Sequence, residues 1–394
     1  MLAASVRMDD GVLDQARQQF MEGLAAMQAG TPVDAEQAFR RALGLVPGRL
    51  SVLINLGVAL LQQGRAEAAI EFLEQAVASA PDDVDALGHL GVACAQSGRL
   101  QRGLEVLQHS LKLNPDQGAA WGCLGSILRE LGRYEEASRS FEQALHLGAD
   151  PELNQYYLAA VSFSGPSTVP RQSPLQYVQG LFDAYSVDFD KHLAALGYEV
   201  PQVLVDTAVS LGGFPCEASL DLGCGTGLIG ERLREVASMA TAAGSARVRI
   251  DGLDASAGMI QRARHGGAYD DLFLAELNQW LLSTNRLYQL IFAADVFIYV
   301  GALEEVFKGV SACLSSGGIF AFSVERLDEV PLGERDQAVS GFGLLPSLRY
   351  AHSQSYLEAL ALRNGMSTVR VQEGVLRHDQ HKPVHGLYVF MRRV

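Results

Sequence analysis

Glycine recurs at a fixed spacing through the first third of the chain. Gly23, Gly57, Gly91 and Gly125 are 34 residues apart, and Gly30, Gly64, Gly98 and Gly132 keep the same step. Pro47, Pro81 and Pro115 share the period, as do Phe39, Leu73, Leu107 and Phe141, and Ala42, Ala76, Ser110 and Ala144. A period of this length with this punctuation is one helix–turn–helix unit per repeat. Each helix pair leaves an apolar face that only the next pair covers, so such a fold grows by stacking. The first glycine of each unit lets two helices approach closely. The second sits in a turn after a helix, where φ > 0 is needed, and the proline stops the second helix.

The pattern resembles the tetratricopeptide repeat (TPR) over about residues 13–151, as four repeats. The best-matched unit has Trp121, Leu124, Gly125, Ala137, Phe141 and Ala144 at the family's packing positions. Repeat 1 has Gln19 and Glu22 where Leu or Trp is usual, which suits a polar cap. A helix from Pro151 to about Ser162 caps the other end. The resemblance implies a groove lined by the first helices of repeats 2–4: Ile54, Asn55, Val58, Leu61 and Gln62, then Gly88, His89, Val92 and Gln96, then Gly122, Ser126, Arg129 and Glu130. Such a groove implies a protein or peptide partner. The Lys/Asn/Arg set that clamps a C-terminal carboxylate in chaperone-binding TPRs is not there. The other readings of the array are a homodimer surface or a rigid spacer.

At 394 residues the chain is too long for one ordinary domain. Residues 1–163 read as the TPR solenoid. Residues 164–174 read as a linker, because Pro, Gly and Ser dominate Ser162 to Pro174 and no apolar period runs through it. Residues 175–394 read as a second domain. A hydrophobic content of 48% and a mean hydropathy of +0.09 describe a soluble chain with ample core. No apolar run reaches the roughly 18 residues of a membrane span. Met1 to Asp10 has acids rather than a basic n-region, so no signal peptide is expected. Cys94, Cys123, Cys216, Cys224 and Cys313 are scattered without a C-x-x-C pair. They read as free thiols in a reducing, cytoplasmic setting, with no metal site. A net charge of −14 argues against nucleic acid as the main partner.

The chemistry is expected in the second domain. A short apolar strand from Ala218 to Leu222 runs into a turn with Gly223, Gly225 and Gly227, and a helix opens at about Thr226. Backbone N–H groups of such a turn approach a ligand closely, and the helix start adds a positive dipole end. Asp221 stands where a carboxylate reaches across the turn. The alternatives are a chance Gly-rich turn or a dinucleotide site. Val248 to Asp254 reads as a second strand ending in an acid, placed to accept from two ribose hydroxyls. Asp254 follows Gly227 by 27 residues, and the small-residue run Ser238–Ala246 accounts for the extra length as a loop.

Ser219-Leu-Asp-Leu-Gly-Cys-Gly-Thr-Gly-Leu228 resembles motif I of the class I S-adenosylmethionine (SAM) methyltransferases, in its D-x-G-x-G-x-G form. The fold class implied is multi-domain: an all-α TPR solenoid followed by an α/β Rossmann-like domain with a seven-stranded, mostly parallel sheet. The resemblance implies SAM as cofactor and S-adenosylhomocysteine as product. It gives cofactor roles to Asp221, Gly223, Cys224, Gly225, Gly227, Asp254 and Ala255. Met259 falls where the family touches adenine. Glu276, or the N–H of its neighbour Leu277, falls where the adenine amino edge is recognised. Cys224 reads as a small filler rather than a nucleophile.

Tyr177 to His192 resembles the F-D-x-Y-A-x-x-F-D-x-H-L segment of bacterial TPR-linked methyltransferases, with Ser186 where Ala is usual. There it packs over the cofactor, so Tyr185 joins the cofactor set and Phe182 and Phe189 the acceptor side. Ordinary core packing of an amphipathic helix is the other reading. Tyr288–Val300 reads as strand 4 and its exit. Asp295 ends it, where open α/β sheets place ligands, and holds either cofactor or acceptor. Substrate contacts are also expected from the long insertion Glu325–His352, and Ser347–Ser353 resembles an R-Y-x-H-S element of the same TPR-linked family, which implies roles for Arg349, Tyr350 and His352. His352 is the expected proton acceptor, with Tyr299 orienting the methyl acceptor. Their structural alternatives are a helix-start hydrogen bond and a pocket wall. No Asn-Pro-Pro-Tyr follows strand 4. The function implied is methyl transfer to an O or N acceptor presented on a protein, peptide or carrier. A small-molecule methyltransferase with dimerising TPRs and a non-catalytic SAM-sensing adaptor are the alternatives.

Overall fold

The computed structural model describes residues 10–162, 169–185, 189–242, 247–327, 341–379 and 382–394. The chain divides into two compact units, residues 1–162 and 163–394.

The first unit is a run of antiparallel helices: α1 (Asp10–Gln28), α2 (Pro32–Leu45), α3 (Leu50–Gln62), α4 (Ala66–Ser79), α5 (Val84–Gln96), α6 (Leu100–Leu113), α7 (Gly118–Glu130), α8 (Tyr134–His146) and α9 (Pro151–Val161). The two 34-residue series are the two halves of one contact. A Cβ on Gly91 of α5 would lie 2.4 Å from the Leu107 side chain of α6, and one on Gly57 would lie 2.6 Å from Leu73. Gly23 faces Phe39 and Gly125 faces Phe141 in the same way. The large residue of each second helix seats on the glycine of the first, and Leu73, Leu107, Phe39 and Phe141 are fully buried. Gly30, Gly64, Gly98 and Gly132 follow the first helices with φ of 72 to 73°, the left-handed region.

The second unit opens with α10 (Leu175–Tyr185), α11 (Phe189–Ala195) and α12 (Val200–Ala208). It continues with β1 (Ala218–Leu222), α13 (Leu228–Ala242), β2 (Arg249–Asp254), α14 (Ala257–Gly266), β3 (Asp271–Leu274), α15 (Leu277–Ser283), β4 (Tyr288–Ala293), α16 (Glu304–Cys313) and β5 (Leu314–Arg326). Last come β6 (Phe342–Leu344), β7 (Tyr350–His352), α17 (Gln354–Arg363), β8 (Met366–Asp379) and β9 (Lys382–Arg393). The parallel core runs β3-β2-β1-β4-β5. β9 adds antiparallel to β5, and β8 antiparallel to β9. Every residue of β1 is buried, as a strand covered on both faces requires. Along β4, Leu290 and Phe292 pack with α12 residues such as Leu204, while Ile291 and Ala293 pack on the other face with Phe307.

The sheet has nine strands, not the expected seven. The added pair, β6 and β7, lies inside the insertion read as a long loop. Each is three residues long, too short to show alternation. Glu325 of β5 pairs with Gly386 of β9 and also with Ala351 of β7. These partners therefore occupy opposite edges, and β7 continues the β4 side of β5 beyond the end of β4. The β6–β7 hairpin thus stands at the carboxyl end of the sheet.

Residues 169–174, read as linker, are bound to the second unit. The Arg171 carbonyl accepts from Gly301 N (2.9 Å) and Ala302 N (2.8 Å), and Ser173 N donates to the Tyr299 carbonyl (2.9 Å). A composition rich in Pro and Ser marks irregular backbone, and this backbone finds its partners across the domain. No helix among the described residues is long and apolar enough to cross a membrane.

The glycine seats set one expectation. Gly91→Ala gains up to about 1 kcal/mol of helix propensity but overpacks Leu107, which costs about 1–3 kcal/mol. Thermal unfolding should show net destabilisation, and G91A combined with Leu107→Ala should fall short of the sum of the two single losses. Strict additivity would show that this contact does not hold the pair together.

Candidate active site

The carboxyl ends of β1, β2, β3 and β4 open on a cavity of about 420 Å³. Its wall includes Asp221 and the turn Gly223–Thr226 after β1, Asp254 and Ala255 after β2, Ala275, Glu276 and Leu277 after β3, and Asp295, Val296, Tyr299 and Val300 after β4. Phe182 and Phe189 of α10 and α11 close one side, and Tyr198, Arg349 and Arg377 stand at another part of the wall. This is the crevice where open α/β sheets bind ligands.

Asp254 ties the tips of β1 and β2 together. Its Oδ2 accepts from Gly225 N (2.9 Å) and its Oδ1 from Ser256 N (2.8 Å). Each carboxylate oxygen has a further lone pair, and Asp254 lines the cavity. Burial raises its pKa, and the amide donors pull against that rise. Gly225 has φ 53°, and a Cβ there would meet nothing nearer than a Phe189 ring carbon at 3.9 Å, so its place is cavity. Ser256 also caps α14, accepting from Met259 N (3.1 Å).

Asp221 is 1% exposed. Its Oδ2 accepts from the Tyr269 hydroxyl at 2.6 Å, while Oδ1 has no partner. Burial pushes its pKa up to about 7. Tyr269 also accepts from Gly230 N at 3.2 Å. A Cβ on Gly230 or Gly252 would come within 2.5 or 2.8 Å of neighbouring side chains, with Tyr269 the ring against both. Tyr269 is the residue sequence reasoning missed here. It lies in a loop before β3, and nothing local marks it. The signal is the pair of glycines, Gly230 and Gly252, whose missing side chains make room for its ring.

The segment over the cavity is held by two acids. Asp183 of α10 accepts from Ser256 Oγ (2.5 Å) and Gly258 N (3.0 Å) at the start of α14. Asp190 of α11 accepts from Thr226 Oγ1 (2.5 Å) just before α13. Phe182 meets Phe189 and Tyr299 edge to face, at 6.0 and 5.4 Å between ring centres. The Tyr185 side chain lies outside the described residues.

Asp295 was expected at the site, but the rest of its cluster, Ser323, Arg377 and Glu325, was missed. Asp295 adopts φ 54°, in the left-handed region. Its Oδ1 accepts from Ser323 Oγ (2.9 Å) and its Oδ2 from Arg377 Nη1 (2.7 Å). Arg377 of β8 also donates to Glu325 of β5. Arg377 is 6% exposed, so its charge is compensated by two acids inside the fold. Arg377 comes from the last hairpin, 82 residues beyond Asp295, which no local motif reports.

Four expected site residues among the described ones do not line the cavity. His352 is fully buried on β7, with Nε2 on the Gly301 carbonyl at 2.9 Å and its ring stacked on Tyr356. Burial lowers its pKa to about 4, so it is a neutral packing residue and not a proton acceptor at the cavity. Tyr350 is fully buried and donates to the Pro170 carbonyl (2.9 Å). Met259 is 1% exposed on the inward face of α14. Gly227, at φ 118°, faces Tyr269. Glu276 lines the cavity, but its carboxylate caps α15 by accepting from Gln279 N (2.8 Å). Tyr299 lines it too, and burial holds its phenol up to about 12, which makes it a donor and not a base. Burial also raises the pKa of the Cys224 thiol. No group of three or more metal-ligating side chains occurs among the described residues.

The residues at the site match the chemical groups that SAM carries. An orphan carboxylate oxygen on Asp221 suits a cation, the Asp254 lone pairs suit a diol, and the space in front of Gly225 admits a ligand that any side chain there would block.

We expect Tyr269→Phe to leave both Asp221 oxygens buried without a donor, at about 1–3 kcal/mol. Denaturant titration should show that loss with an unchanged far-ultraviolet spectrum. Unaltered stability would mean that Tyr269 does not position Asp221.

Residues 26–94 and 118–149 match families described as tetratricopeptide repeat, and residues 220–320 match a family described as methyltransferase domain. Human methyltransferase-like protein 27 is 32% identical over 126 residues, which are 32% of this chain. The chain spans about half the length of that curated relative, 46%. Among solved structures, magnesium protoporphyrin IX methyltransferase from Synechocystis PCC 6803 with bound SAM is 15% identical, with a TM-score of 0.39 over 56% of this chain and 97% of that one. MamA residues 41 to the end, from Desulfovibrio magneticus RS-1, is 26% identical, with a TM-score of 0.32 over 34% of this chain and 75% of that one. The chain carries tetratricopeptide repeats in its N-terminal part and a methyltransferase domain in its C-terminal part.

Proposed function

We propose that the protein is a cytoplasmic SAM-dependent methyltransferase that transfers a methyl group to an O or N acceptor, and that the repeats bind the protein, peptide or carrier presenting it. The observation that carries this reading is the junction of Asp254, Gly225 and Asp221: two carboxylates and an empty glycine seat at the tips of adjacent parallel strands.

Bound SAM supplies a methyl group activated by a sulfonium. The residues of this chain do the rest. Asp254 accepts from the ribose hydroxyls, and Asp221 offers its unpartnered oxygen to the ammonium of the methionine end. Ala255 and Leu277 flank the adenine. Phe182 and Phe189 exclude water from the transfer site, and Tyr299 donates its hydroxyl to the acceptor. Fixing two reactants in line accounts for most of what such a site must do.

Isothermal titration with SAM and with S-adenosylhomocysteine tests this. Asp254→Ala removes two charged hydrogen bonds to the ribose, of about 1.5–3 kcal/mol each, so affinity should fall by about a hundredfold or more. If wild-type protein binds neither ligand, the proposal fails. The pH dependence is a second check. Asp221 is ionised above about pH 7, so affinity for the cationic ligand should rise with pH up to about 7 and then level off, and Asp221→Asn should flatten the profile. In the unliganded protein the sign is reversed. The raised pKa gives Asp221 a stability contribution that is full below about 3.8 and lost as pH climbs through about 7.

A further inference from the structure

We propose that the methyl acceptor carries a carboxylate on an apolar body, bound between Arg349 and Arg377. This rests on the methyltransferase reading and deepens it. At this end of the cavity, the polar groups left open are donors. Arg377 uses two of its five N–H groups, on Asp295 and Glu325, which leaves three. Arg349 uses one, on Asp379 at 2.8 Å, which leaves four. The hydroxyls of Tyr198 and Tyr299 also line the cavity, without a hydrogen-bond partner among the described residues. The acid beside them is already filled, since both Asp295 oxygens accept from Ser323 and Arg377. A ligand that satisfies two guanidinium groups and two phenols has to bring acceptor oxygens, and a planar carboxylate matches the guanidinium fork.

Arg377 is offset by two carboxylates inside the fold, so the positive charge available to a ligand is that of Arg349 alone. Its partner Asp379 is 48% exposed, and a pair of that kind is held weakly. A carboxylate inside the cavity can therefore take Arg349 from Asp379 at small cost. The backbone aims the group: Leu348, directly before Arg349, adopts φ 64° in the turn between β6 and β7, a conformation that a bulky residue keeps only when its surroundings enforce it. The rest of the wall is mainly apolar, with Leu181, Leu193, Leu196 and Ile298 among its members, which calls for an aryl or alkyl body.

The test uses full-length protein saturated with S-adenosylhomocysteine, titrated with 3-phenylpropionate, with its amide and with 3-phenylpropylamine. We expect the carboxylate to bind at least tenfold more tightly than either analogue. Arg349→Gln should erase that preference while S-adenosylhomocysteine still binds. Asp379→Asn, which leaves Arg349 uncommitted, should keep or increase it. Equal or tighter binding of the amide or the amine overturns the proposal, as does no binding of the carboxylate by the loaded protein, or a preference that survives R349Q. Failure to bind S-adenosylhomocysteine at the outset would instead contradict the methyltransferase reading itself.

Discussion

One carboxylate holds the site together. Asp254, at the tip of β2, accepts the amide of Gly225 from the turn after β1 and the amide of Ser256 from the start of α14. The glycine turn keeps its shape because a neighbouring strand receives its N–H, and α14 starts where it does for the same reason. Tyr269 supports the arrangement from below, on Asp221 and Gly230, through the space left by two glycines. Asp183 and Asp190 then dock α10 and α11 on the helix starts that this frame presents. The cavity is thus built from carboxylates that each accept an N–H or O–H from another element.

Two regions of opposite character result. Around β1 and β2 the open polar atoms are carboxylate oxygens, suited to a cation and hydroxyl groups. Around β8 and the β6–β7 turn they are guanidinium and phenol donors. Arg377 links the second region to the sheet through Asp295 and Glu325, and removing one member of such a buried set costs about 3–5 kcal/mol. A buried ion set of this kind fixes geometry more than it adds stability, and here it fixes the end of β4 where Asp295 turns with positive φ.

The repeats were legible because helix packing writes itself into sequence at a constant step: each glycine seat and the residue that fills it are both periodic. The Gly-rich turn and Asp254 were legible because a strand, a turn and a second strand ending in an acid follow in order. What was not legible depends on contacts between distant segments. Tyr269 and Arg377 act through partners 48 and 82 residues away, and no local pattern marks them. His352 and Tyr350 look chemical in a list of residue types, but β7 turns both into the core against Gly301 and Pro170. The same hairpin added two strands that were too short to show a period of two. Residues 169–174 had the composition of a linker, yet their backbone pairs with residues 299–302.

The proposed function requires Asp254, the Gly225 seat and Asp221 to form one ligand-binding frame. A crystal structure of the protein grown with S-adenosylhomocysteine tests it most directly. The expected result is the ribose on Asp254, the ligand passing in front of Gly225, and its amino group within hydrogen-bond distance of Asp221 Oδ1. Density for the ligand elsewhere, or a ligand seated there with Asp221 Oδ1 still unpartnered, would contradict it.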